Sequence, residues 1–140
     1  MRNHFIRVFA PVMIVIMGML SIPVYAADVG APEFDIQSSY YNNAIASISI
    51  SGSGTASSSA TVTGKRGITT KITVKLYLQK YSGGKWTTTK QWSGSKNGTS
   101  YTLSKTASVS KGKYRTKAVC KIYSGNKSES ITKYSGAKTY

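Results

Sequence analysis

Thr70-Lys71-Ile72-Thr73-Val74-Lys75-Leu76-Tyr77-Leu78-Gln79-Lys80 decides the fold class. Ile72, Val74, Leu76 and Leu78 recur at every second residue, with Lys71, Thr73, Lys75, Tyr77 and Gln79 between them. A period of two over this length cannot gather the apolar residues on one side of a helix, so the stretch reads as a strand buried on one face. Tyr114 to Tyr123 repeats the pattern, setting Tyr114, Thr116, Ala118, Cys120 and Ile122 against Arg115, Lys117, Val119, Lys121 and Tyr123. Shorter alternations occur at Ile45–Ile50, with Ala46, Ile48 and Ile50 on one side, and at Ala56–Thr63.

Turn residues punctuate these runs: Gly52-Ser53-Gly54, Ser82-Gly83-Gly84, Asn97-Gly98 and Ser124-Gly125-Asn126. Gly and Asn tolerate the positive φ that tight turns require. Further strands are predicted at Lys85–Trp92, around Tyr101 and Leu103, and over Glu129–Thr139, giving seven in about 95 residues with no helix. Two Asn-X-Ser/Thr triplets, at Asn97 and Asn126, coincide with these turns and read as turn chemistry. Residues 27–43 show no sustained period and are expected to form a flexible N-terminal arm; the basic β-domain is expected over residues 44–140.

The first 26 residues read as a secretory signal peptide. Arg2 and Arg7 give a positive start, Val8 to Leu20 is apolar apart from Pro11 and Gly18, and Val24-Tyr25-Ala26 places a small residue before a cut between Ala26 and Ala27. The alternative is retention as a membrane anchor, which wants about 20 apolar residues; this run reaches that length only by counting Ser21, Pro23 and Tyr25. Loss of this segment removes His4 and all four methionines. It leaves 17 basic residues against Asp28, Glu33, Asp35 and Glu129, a net +13, and from residue 36 onward 17 against one.

That composition argues against catalysis. General acid–base chemistry needs a side chain titrating near working pH, and the chain downstream of Ala26 has no histidine and one carboxylate beyond residue 36. No zinc or calcium ligand set can be assembled from these residues, and no cofactor motif appears. Cys120, the only cysteine, lies by parity on the apolar side of its strand, where it reads as a small buried hydrophobe. An unpaired cysteine in an exported protein also raises the alternative of an intermolecular disulfide.

Several runs resemble a group of small secreted proteins of Gram-positive bacteria. They are Leu76-Tyr77-Leu78-Gln79-Lys80, Ser82-Gly83-Gly84-Lys85-Trp86, Trp92-Ser93-Gly94, Val109-Ser110-Lys111-Gly112-Lys113-Tyr114-Arg115 and Tyr123-Ser124-Gly125. The resemblance implies a single immunoglobulin-like β-sandwich of about seven strands and lends no site residues, since the group has no assigned function. Gly112-Lys113-Tyr114 also resembles the tyrosine corner of such sandwiches.

In that topology the strands over Thr70–Lys80 and Tyr114–Tyr123 are neighbours in one sheet. Their polar sides, carrying Lys71, Lys75, Tyr77, Lys113, Arg115, Lys117, Lys121 and Tyr123, would merge into one cationic surface. Trp86 and Trp92 have equal parity and are expected on one side together. A three-residue loop at Ser82–Gly84 puts both in the core, the favoured arrangement because the core lacks other large side chains. A two- or four-residue loop puts both outside as an aromatic platform. The expected partners are anionic polymers (teichoic acids, acidic glycans, extracellular DNA) or anionic lipid head groups. The expected role is that of a secreted, non-catalytic binding module associated with the cell envelope or a host surface. A membrane-active toxin and an assembly subunit of a surface layer are the alternatives. Against all of these stands the plain reading that spaced lysines only keep a sandwich soluble and its edges unpaired.

Overall fold

The computed structural model describes residues 40–140; the expected signal segment, the expected cut between Ala26 and Ala27 and the expected arm up to residue 39 lie outside the described residues. Every regular element in this region is a strand. They are β1 (Tyr41–Ile50), β2 (Thr55–Gly64), β3 (Lys71–Ser82), β4 (Lys85–Asn97), β5 (Ser100–Ser108), β6 (Lys113–Ser124), β7 (Lys127–Tyr134) and the two-residue β8 (Lys138–Thr139). β1, β2 and β5 form one sheet in that order. β4, β3, β6 and β7 form the other, with β8 also pairing with β6, and all pairings are antiparallel. The chain changes sheet between β2 and β3, between β4 and β5, and again between β5 and β6, a Greek-key path that gives an immunoglobulin-like β-sandwich.

The two sheets meet through complementary sizes. The three-stranded sheet offers mostly small inner residues, Ala44, Ala46, Ala56, Ser58 and Ala60. The other sheet answers with Ile72, Leu76, Leu78 and Ile122, all without solvent exposure. Small side chains facing large ones let the sheets interdigitate without voids. One polar contact crosses the core: Thr116 Oγ1 donates to Ser58 Oγ at 2.8 Å, with both residues buried.

Tyr114 opens β6 almost fully buried, and its hydroxyl donates to the carbonyl of Ser110 at 2.9 Å. A buried phenol thus finds its partner four residues upstream at the β5–β6 corner, as a tyrosine corner does. Cys120 is also in the core. Burial pushes its thiol up to about 11, partly opposed by the nearby Lys133. The intermolecular disulfide weighed above is therefore not available without opening the sandwich.

Two boundaries differ from the alternation. β1 begins at Tyr41, inside the stretch expected to be arm. Its register shifts between Tyr41 and Asn43, so Asn42 is an extra residue that hides the period, and its Nδ2 donates to Gly64 O at 3.3 Å. The last strand is broken in two. At the break the Thr116 N–H donates to Ser135 Oγ at 2.8 Å and the Ser135 N–H donates back to Thr116 O at 2.9 Å. A side-chain oxygen replaces one rung of the ladder, which period counting cannot see.

Candidate functional site

β3 and β6 pair over their whole length, setting Lys71 beside Tyr123, Thr73 beside Lys121, Lys75 beside Val119, Tyr77 beside Lys117, Gln79 beside Arg115 and Tyr81 beside Lys113. All of these side chains stand on the outer side of the four-stranded layer, because the alternate residues fill the core. The eight residues read from the sequence as one cationic surface, Lys71, Lys75, Tyr77, Lys113, Arg115, Lys117, Lys121 and Tyr123, are thus brought together.

The tryptophans are not. The β3–β4 turn has two residues, Gly83 and Gly84, with φ of 59° and 77°. Positive φ at both positions suits a right-twisted hairpin and favours glycine. This turn sets Trp86 opposite Tyr81 on the outer face. The register then slips: Gln79 pairs with Thr88 but Leu78 pairs with Lys90, leaving Thr89 as a bulge whose hydroxyl donates to Leu78 O at 3.2 Å. One extra residue reverses the parity of everything after it. Trp92 consequently pairs with Leu76 and packs against both parts of the core. The expectation of a shared side is corrected: Trp86 is outside, Trp92 inside.

The two-residue turn, by placing Trp86 and Thr88 outside, makes a feature that the sequence reading missed. The Arg115 guanidinium lies 4.3 Å from the Trp86 ring and 4.4 Å from the Tyr134 ring. Its Nε donates to Gln79 Oε1 at 2.8 Å, and Gln79, itself buried, is braced by Nε2 to Thr88 Oγ1 at 3.4 Å. Around it Lys117 lies over Tyr77 at 5.5 Å, Lys113 over Tyr81 at 5.4 Å, and both Lys71 and Lys121 over Tyr123, at 5.4 and 5.3 Å. Each contact of this kind contributes roughly 0.5–1 kcal/mol at exposed sites. A shallow hollow of about 360 Å³ lies beside Tyr123, lined by Thr73, Lys75, Val119, Lys121 and Ser130.

Charge is segregated between the two outer faces. The only acidic side chain among the described residues is Glu129, which pairs with Ile122 on the inner side of β7 and accepts the Tyr40 N–H at 2.8 Å. The outer positions of β1, β2 and β5 carry no charge. They form rows such as Ser47–Ser59–Ser104 and Ser49–Ser57–Thr106, with the exposed Ile45 in the neighbouring row. Hydroxyl pairs knit them: Ser47 with Ser59 at 2.6 Å and Thr61 with Thr102 at 3.0 Å. A different set of lysines, Lys90, Lys96, Lys105 and Lys133, sits at core-side positions of the edge strands β4, β5 and β7. Charges directed inward on edge strands deter edge-to-edge pairing.

No family model and no curated protein matches the sequence. Among solved structures, CsgH from R. palustris aligns over 66% of this chain and 88% of its own, at 16% identity and a TM-score of 0.42. The CARDB domain of the PF1109 protein from Pyrococcus furiosus aligns over 69% of this chain and 90% of its own, at 16% identity and a TM-score of 0.37.

Proposed function

We propose that the protein is a secreted, non-catalytic module that holds anionic polymers of the cell envelope against the outer face of the β4-β3-β6-β7 sheet. The observation that carries this reading is the segregation of charge. Lysines serving only solubility have no reason to avoid one sheet and crowd the other. Here six basic residues share one outer face with no acid, while the opposite face has none. The edge-guarding lysines are a separate set, so edge protection does not account for the crowded face.

Polyanion attachment of this kind proceeds by counterion release, and each phosphate contact adds about 0.7 to the slope of log affinity against log salt for a single-stranded polyphosphate. Five or six contacts predict a slope of about −4. The test is retention of the purified protein on cell walls with and without teichoic acid across a salt series. Retention that ignores salt, or that survives removal of every wall polyanion, refutes the reading.

A further inference from the structure

The six cations of this face are not equivalent, and on the reading above this difference points to a specific ligand group. Five of them are lysines on flexible stems. Arg115 alone is fixed, by a ring on either side and by Gln79 at Nε. Its Nη donors have no acceptor among the described residues. A guanidinium held between two rings and tied at Nε, with its Nη donors left over, matches an oxyanion that presents two oxygens, where a lysine offers only a point charge. Because the stacking and the Gln79 contact already order the side chain, little rotamer entropy remains to be lost on binding.

Lys113 and Lys117 flank Arg115 on the same face of β6, about 6.7 Å to either side by strand rise. This makes a straight row of cations with a rigid centre. Phosphates separated by a short polyol fit such a repeat. The rings between the cations are not an open platform. Tyr77, Tyr81, Trp86, Tyr123 and Tyr134 each carry a cation of the protein itself. A nucleic-acid base would have to displace that cation in order to stack, whereas single-strand binders offer open aromatic faces. We infer that Arg115 is the anchoring subsite for one phosphodiester of a linear, base-free polymer such as a poly(polyol phosphate), with Lys113 and Lys117 holding the neighbouring phosphates. Trp86 is its positioning residue.

The experiment compares full-length wild type, Arg115→Lys and Trp86→Leu, titrated with poly(glycerol phosphate), single-stranded DNA and polyglutamate at several salt concentrations. Arg115→Lys keeps the charge and loses the planar fork. It is expected to weaken poly(glycerol phosphate) binding about tenfold while leaving the salt slope unchanged. Trp86→Leu removes no charge and is expected to show the same pattern. Trp86 fluorescence in the wild type should change on binding, and thermal melts establish that both variants fold. Wild-type binding with Arg115→Lys indistinguishable from it overturns the anchor and leaves the broader polyanion reading standing. Absence of salt-dependent binding by the wild type to any of the three polymers overturns both. Tighter binding to the DNA or to polyglutamate than to the polyol phosphate overturns the assignment to phosphodiesters without bases.

Discussion

The Ser58–Thr116 contact offers the sharpest test of how the sandwich is held together. It is a hydrogen bond between hydroxyls of opposite sheets, closed off from water, at 2.8 Å. A neutral bond like this contributes only about 1 kcal/mol net, but a buried hydroxyl stripped of its partner costs about 1–3 kcal/mol. Thr116→Val keeps the shape and strands the Ser58 oxygen; Ser58→Ala strands the Thr116 hydroxyl. Each single change is therefore expected to destabilise by about 2 kcal/mol, lowering the melting temperature by roughly 10 °C in a domain of this size. The double variant removes both polar atoms and leaves an apolar contact, so its stability is expected within about 1 kcal/mol of wild type. Urea denaturation of the four proteins measures a coupling of about 3–4 kcal/mol, with the double variant more stable than either single. If the two losses simply add, the pair is not an isolated, water-free contact and the reasoning fails.

Other outcomes follow from the same packing. Tyr114→Phe removes the hydroxyl bonded to the Ser110 carbonyl and should cost about 1–2 kcal/mol in chemical denaturation. Gly94→Ala places a Cβ on the Tyr101 hydroxyl and close to Leu103, with an expected loss of about 1–3 kcal/mol. Tyr101→Phe in the same chain should restore part of that loss, since the hydroxyl is the overlapping atom. The Cys120 thiol, raised from 9.0 to about 11, stays protonated in the fold while the unfolded chain ionises. Its contribution is complete below pH 9 and is lost as pH rises through 11, at up to about 1.4 kcal/mol per pH unit in that window. Relative to Cys120→Ala, wild-type stability should therefore fall more steeply between pH 9 and 11, and alkylation at pH 8 should track unfolding. Replacing Lys90, Lys96 and Lys105 by serine should raise light scattering at fixed concentration, because edge strands then lose their inward charges.

The sequence by itself determined the strands and the sides of β3 and β6. In Thr70–Lys80 and Tyr114–Tyr123 parity alone assigns each residue to one side of the sheet, since the pleat has period two and no bulge interrupts their mutual pairing. That is why the cationic face was legible residue by residue once the resemblance to immunoglobulin-like sandwiches placed the two strands together; the reading of Tyr114 as a corner also came from that resemblance. Tertiary structure decided whatever parity could not carry across an irregularity. Thr89 in β4 sends Trp86 and Trp92 to opposite faces, and Asn42 in β1 masks the start of the domain. Nothing local distinguishes either residue from its neighbours, because a bulge is selected by how two strands fit across the sheet. The Arg115 clamp belongs to the same class. Its members Gln79, Thr88, Trp86 and Tyr134 come from the β3–β4 hairpin and from β7, which is distant in the chain. They meet only because β4 and β7 lie on either side of the β3–β6 pair. The uncharged outer face of β1-β2-β5 likewise required the strand order, since its hydroxyl rows are drawn from segments that pair only in the folded sheet.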